Sequence, residues 1–345
     1  MSKRPGAKGV GHDNSHDFSP FRTDASPLPQ GLAATLARAR LQIMRNDLDH
    51  LPERQQRELE RIKTVLLDEF DRAIHAGGGP TQSWRRDGKI LKIILFGSYS
   101  REDWVDAPNT GYQSDFDILV IVSHEKLTET AHYWHTAEDR IERDPTIGRI
   151  VNVIVHTMAE VNQGLSQGQY FWTGVIQDGI ALHALPGHPF AAPKPLTPQQ
   201  AVEMAGKYLS IWVDKIDGAL DLAAYAVRQG NRKDAAFLLH QATERAYACF
   251  LLVHAFYFPR SHNIKFLRSQ AESMDRRLVA AWPREQKLER RRFELLKRAY
   301  VEARYSDQYD LSPEDLAWLT DQVKRLRDLV NEVCRDRIAA LKAGV

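Results

Sequence analysis

Two aspartates two residues apart, Asp115 and Asp117, open the apolar run Ile118-Leu119-Val120-Ile121-Val122. Alternate side chains of a strand share a face, so the pair would point the same way, close enough to share one divalent metal. Upstream, Ile93-Ile94-Leu95-Phe96 feeds Gly97-Ser98. Gly97 lets the backbone approach a ligand closely, and Ser98 offers a hydroxyl and an N–H to phosphate. Arg101 adds a planar cationic fork suited to phosphate oxygens. A phosphate grip and a carboxylate pair for metal are the minimum equipment of metal-assisted nucleotidyl transfer. Two aspartates in an otherwise apolar strand are costly if buried without a partner, which ranks the metal reading above that of two solvated surface acids.

These residues need a strand, a turn, a loop and a second strand to hold them. Lys89 to Phe96 reads as the first strand and Phe116 to Val122 as the second, nearly all apolar and therefore central. Arg149 to Thr157 is a third, with Val151, Val153 and Val155 on one face and Asn152, Ile154 and His156 on the other. Ile180 to Leu185 is a short last strand. Ahead of them, helix-like spacing runs from Leu32 to Leu51. After Pro52, residues Leu59, Ile62, Leu66, Leu67 and Phe70 recur at helical steps until Gly77-Gly78-Gly79-Pro80 ends the helix. Short helices are expected over Glu160 to Leu165 and Tyr170 to Asp178.

Pro186, Pro189, Pro193, Pro195 and Pro198, of 16 prolines in the chain, mark residues 186–196 as a linker. Beyond it the pattern is helical throughout. Thr197-Pro198-Gln199-Gln200 is a capped helix start. Further helices are expected over about 233–258, 264–274, 283–305 and 312–342, which makes an antiparallel bundle. The fold class is α+β, a small mixed sheet with helices over residues 31–185 followed by an all-α bundle over 197–343.

Composition bounds the rest. The 345 residues carry a formal net charge of +2, too little to argue for a nucleic-acid or membrane surface alone. The excess of basic residues lies in the helical half. Two cysteines, Cys249 and Cys334, exclude a disulfide framework and a cysteine zinc site. No apolar run approaches a membrane span. Residues 1–30 are rich in Ser, Pro, Gly and Asp and lack a signal-peptide core, so they read as a disordered tail of a cytoplasmic protein.

The Gly97-Ser98, Arg101 and Asp115-X-Asp117 pattern resembles the minimal nucleotidyltransferases of the DNA polymerase beta superfamily over about Lys89 to Leu185. The resemblance implies that Gly97, Ser98 and Arg101 bind nucleotide phosphate. It implies that Asp115 and Asp117 are catalytic and bind magnesium, with ATP or another NTP as substrate. That family commonly places a third carboxylate on the next strand, where this chain offers Asn152. Asparagine brings no charge and cannot act as a base. Glu102, Asp103, Asp106, Glu142 and Asp144 are the unranked substitutes, and Trp104, Asp106 and Tyr112 are rim or filler residues of the loop.

The helical half resembles a HEPN domain through Leu239-His240-Gln241-Ala242-Thr243-Glu244-Arg245-Ala246, Pro259-Arg260-Ser261-His262-Asn263 and Tyr300-Val301-Glu302-Ala303-Arg304-Tyr305-Ser306. A minimal nucleotidyltransferase followed by such a bundle is a recurring bacterial and archaeal arrangement. HEPN ribonucleases pair an Arg with a following His. No histidine follows His262 here, so Arg298 and Arg304 have no such partner. His240, Glu244, Tyr247 and His254 share a helical stripe that reads equally as a polar groove or as a packed contact. Arg290-Arg291-Arg292 reads as a solvated face. The leading expectation is transfer of an NMP group from an NTP to an unidentified hydroxyl, on RNA or protein. The alternative is a catalytically weakened, antitoxin-like protein that binds nucleotide or RNA. Transfer to an aminoglycoside ranks low, and the bundle is a candidate homodimer surface.

Overall fold

The computed structural model describes residues 44–76, 82–107, 112–259 and 261–344. The expected tail, most of the first helix, the Gly77–Pro80 break and Pro108, Asn109 and Gly111 of the loop lie outside the described residues.

The chain is α+β. Helix α1 (Glu53–His75) precedes β1 (Ile90–Phe96), a helical turn over Ser98–Arg101, and β2 (Phe116–Val122). Then follow α2 (His135–Glu142), β3 (Val151–Thr157), α3 (Met158–Ser166), α4 (Tyr170–Asp178) and β4 (Ile180–Ala184). The helical part holds α5 (Pro198–Arg228), α6 (Arg232–Ala255), α7 (Ile264–Met274), α8 (Lys287–Tyr305) and α9 (Pro313–Ala343).

The four strands lie in the order β3-β2-β1-β4. β1 is antiparallel to both β2 and β4, and β2 is parallel to β3, so the sheet is mixed. Its two faces enter two cores. Ile93, Leu95, Ile118, Val120 and Val122 pack against Leu59, Ile62, Leu66 and Phe70 of α1. Leu91, Phe96, Leu119, Ile121 and Ile154 belong to a second core that runs through α3 and α4 into the bundle. The period-two alternation of β2 therefore puts Asp117, Leu119 and Ile121 on the face turned to the helices.

An aromatic joint fixes that arrangement. Tyr257, just past α6, stacks on Phe171 of α4 with ring centroids 4.1 Å apart. Its hydroxyl is 2.8 Å from Nε2 of His156 on β3. An apolar seam of this kind restrains relative motion of the two parts.

Two expectations are corrected. Residues up to Leu51 do not continue a helix: Arg45 forms a parallel bridge to Ile180, and its carbonyl accepts from Ala181 N at 2.7 Å. Pairing along the sheet edge overrides the local helical spacing there. The Arg290–Arg292 run is not wholly solvated, because Arg291 and Arg292 both hold Asp315 in the first turn of α9, each at 2.8 Å. Among the described residues no helix is long and apolar enough to cross a membrane.

Candidate nucleotide and metal site

Asp115 and Asp117 come together with Asn152 through strand register. The parallel ladder sets Asp117 beside Asn152. Asn152 Nδ2 donates to Asp117 Oδ1 at 3.0 Å and to Asp115 Oδ2 at 3.4 Å. The other Asp117 oxygen accepts from Nε2 of Gln270 on α7, at 2.6 Å. One carboxylate is thus bridged between sheet and bundle.

Both acids are nearly fully buried. Burial pushes the Asp117 carboxyl up to about 7; its Asn152 and Gln270 hydrogen bonds oppose the rise and the Asp115 charge adds to it. Burial also raises Asp115, against the attraction of Lys265 and Arg268 and a hydrogen bond from Asn152. An ionised pair this buried is incompletely compensated by the donors around it.

The Gly97 turn abuts the same carboxylate. Gly97 adopts φ +80°, and a Cβ there would overlap Oδ2 of Asp117. The glycine therefore makes room for Asp117, in addition to any close approach of a ligand. Ser98 begins the helical turn that follows, and Ser100 caps back onto the Gly97 carbonyl at 2.9 Å.

The turn is pinned from beneath by Tyr99, which is fully buried. Tyr99 stacks on Trp104 and packs at a tilt on Phe116, with centroids 5.6 and 4.6 Å apart. Its hydroxyl accepts from Arg149, which is ion-paired to Glu58 of α1 at 2.7 Å. Both side chains of that pair are 1% exposed. His50 Nε2 holds the Tyr99 carbonyl at 2.8 Å. Trp104 therefore supports the turn. Asp106 accepts from Gln113 at 3.0 Å and lies 3.8 Å from Arg149, so it belongs to the same support.

A cleft of about 580 Å³ opens at Ser98 and Asp115, between the sheet and the helices. Asp103, Gln113, Ser114 and Ile150 complete its sheet side. The opposite wall is the polar stripe Lys265, Arg268, Ser269, Glu272, Ser273 and Arg276, spaced at helical intervals along α7 and just beyond it. Arg284, Arg290, Phe293 and Glu294 close the far end.

Other residues singled out in the sequence separate by position. Arg101 is turned to Asp103 at 3.4 Å and does not line the cleft. Among the five substitute acids, Asp103 alone lines it. Glu102 pairs with Arg45 at 3.5 Å, and Asp144 with Arg61 at 2.7 Å. His240 and Tyr247 are fully buried in the bundle, which resolves that stripe as packed contact. Burial holds His240 and His254 down at about 4, so both are neutral at pH 7. His262 pairs with Glu244 at 2.9 Å, and the cap of α7 is Asn263, which accepts from the N–H groups of Lys265 and Phe266.

The α7 stripe and Gln270 escaped the sequence reading. The signal was there: a helix with Ile264, Leu267 and Ala271 on its buried face carries five polar residues at three- and four-residue steps on another.

No curated protein matches the chain. Residues 209–333, from within α5 to within α9, match the family model of the HEPN domain, and the helical part of the chain is similar to that family.

Proposed function

We propose that the protein is a magnesium-dependent nucleotidyltransferase, moving an NMP group from an NTP, foremost ATP, to an acceptor hydroxyl on RNA or protein. The observation that carries this reading is the convergence of Asp115, Asp117 and the Gly97-Ser98 turn, with Ser98 and Asp115 lining the sheet end of the cleft. The HEPN match supports a nucleotide- or RNA-related role for the helical wall.

The donor set suits magnesium. The ion is commonly held by one or two carboxylates, with water and substrate phosphate completing its shell. Asp115 and Asp117 are such a pair, buried and held by amide donors that a cation can displace. No cluster of three or more His, Cys, Asp or Glu side chains suited to a metal occurs among the described residues. When bound, the ion would neutralise charge on the phosphates as the α–β anhydride bond breaks.

The chain's own residues divide the remaining work. Ser98 offers its hydroxyl to phosphate, and the Tyr99 anchor keeps that turn fixed. The cleft walls limit water and hold the acceptor hydroxyl in line with the α-phosphorus. The hydroxyl oxygen forms the new P–O bond, pyrophosphate leaves, and the hydroxyl proton is lost to a base.

The test is pyrophosphate release and label transfer from radiolabelled NTPs with magnesium, using cell RNA and cell protein as acceptors. The wild type is expected to label one acceptor class and Asp115→Ala/Asp117→Ala to label none. A second reading, a nucleotide- or RNA-binding regulator of antitoxin type, draws on Asn152 standing where a third acid would be. NTP binding without pyrophosphate release, together with a stoichiometric RNA or protein partner, would favour it.

A further inference from the structure

The wall of the cleft opposite Ser98 carries several cations, and nearly all are committed. Arg268 is bound to Glu272 at 2.8 Å, and Arg284 binds the same carboxylate at 2.7 Å. Arg290 donates to the carbonyls of Arg284 and Glu285. Lys265 differs. Among the described residues it makes no hydrogen bond through its ammonium and no ion pair within 4 Å, although it is half-buried and lines the same space as Ser98 and Asp115.

Its placement is not accidental to a floppy side chain. Lys265 sits in the first turn of α7, which Asn263 caps and which Ile264, Phe266 and Leu267 anchor in the core. The Gln270–Asp117 hydrogen bond ties that helix to the sheet. A half-buried ammonium gains little unless an anion meets it, and Asp115 and Glu294 attract it only from a distance beyond an ion pair. Phosphate gripped by Ser98 would stand in the same cleft, between turn and ammonium.

We propose that Lys265 is the phosphate ligand contributed by the helical part, so that the nucleotide site is completed only by both parts of the chain. The proposal rests on the nucleotidyltransferase reading above. It assigns the nucleotide's anionic end to the gap between Ser98 and Lys265.

The experiment is calorimetric titration of the full chain with α,β-methylene-ATP plus magnesium, and with magnesium-free tripolyphosphate. Wild type, Lys265→Met, Lys265→Arg and Asp115→Asn are compared. Lys265→Met is expected to weaken both ligands at least tenfold and to flatten the salt dependence of binding, with Lys265→Arg recovering part of the loss. Its urea midpoint should equal or exceed that of the wild type, because an unpaired cation has been removed. Unchanged affinity in Lys265→Met, with binding of the magnesium complex lost in Asp115→Asn, overturns the role of Lys265 and leaves the transferase reading standing. Absence of binding in the wild type overturns both.

Discussion

Gly97 and Asp117 compete for one volume: a Cβ on the glycine would overlap the Oδ2 atom of the aspartate. The sheet register sets this contact, since Phe96 at the end of β1 pairs with Asp117. The glycine's left-handed φ and the carboxylate's position are therefore one feature of the fold.

Gly97→Ala should accordingly damage the site before it damages the fold. The methyl group must displace Asp117 and also hold an unfavourable φ of +80°. A loss of about 1–3 kcal/mol is expected from backbone strain and the disturbed carboxylate. Urea unfolding followed by circular dichroism gives that figure. Magnesium–nucleotide binding should fall at least tenfold in conditions where the variant is still folded.

The Arg149–Glu58 pair beneath Tyr99 gives a second expectation. Both charges are shielded from water, and removing Glu58 leaves Arg149 only the more distant Asp106 carboxylate at 3.8 Å. Glu58→Ala should cost about 3–5 kcal/mol. Because Arg149 also donates to the Tyr99 hydroxyl, the loss should spread to the Ser98 turn. Hydrogen exchange at residues 97–101 should quicken more than at the bundle helices. Uniform protection across the turn would show that Tyr99 is held by its ring contacts alone.

Much of this was legible in the sequence. Period-two alternation placed Asp115, Asp117 and Asn152 on one face, because alternate side chains of a strand share a face and the parallel ladder sets Asn152 beside Asp117. The Gly-Ser turn, the mixed sheet and the helical half were readable for similar reasons of pattern. The far wall was not. Gln270 meets Asp117 across 153 positions, and no local pattern reports a pairing of that range. The contact of Arg101 with Asp103 had no sequence signal either, since it is a side-chain choice. Residues 44–51 misled in the opposite sense: helical spacing was present, and a backbone bridge to β4 took precedence.

The raised Asp117 pKa gives a pH dependence with a definite sign. A carboxyl whose folded pKa exceeds its unfolded value binds its proton more tightly in the native state. Its stabilising effect is full below about 4 and is lost as pH rises through about 7. Asp117→Asn removes that linkage while keeping the shape. Its stability relative to the wild type should therefore improve between pH 5 and pH 8, by on the order of 2 kcal/mol. His240 and His254 act in the other direction. Their lowered pKa values cost stability as pH falls from about 6.5 toward 4 in both proteins, so they cancel in the difference. In the wild type, magnesium binding near pH 7 should release a proton, seen as a calorimetric enthalpy that varies with the buffer's ionisation enthalpy.

Asn152→Asp tests whether the site is tuned for turnover or for holding. The new carboxylate would replace an amide that now donates to both Asp115 and Asp117. Without metal, three acids would meet in one buried volume, two donated hydrogen bonds would vanish, and at least one acid would stay protonated. The variant should melt below the wild type in chelator. With magnesium the order should reverse, because a third carboxylate adds charge that the ion compensates, and binding stabilises by mass action. Melting curves with chelator and with graded magnesium read both effects in one experiment. If magnesium does not restore the variant, the three side chains do not converge on a shared cation, and the metal assignment of Asp115 and Asp117 fails with it. If magnesium restores it and pyrophosphate release also rises above wild type, Asn152 is the residue that holds the natural site below its catalytic capacity.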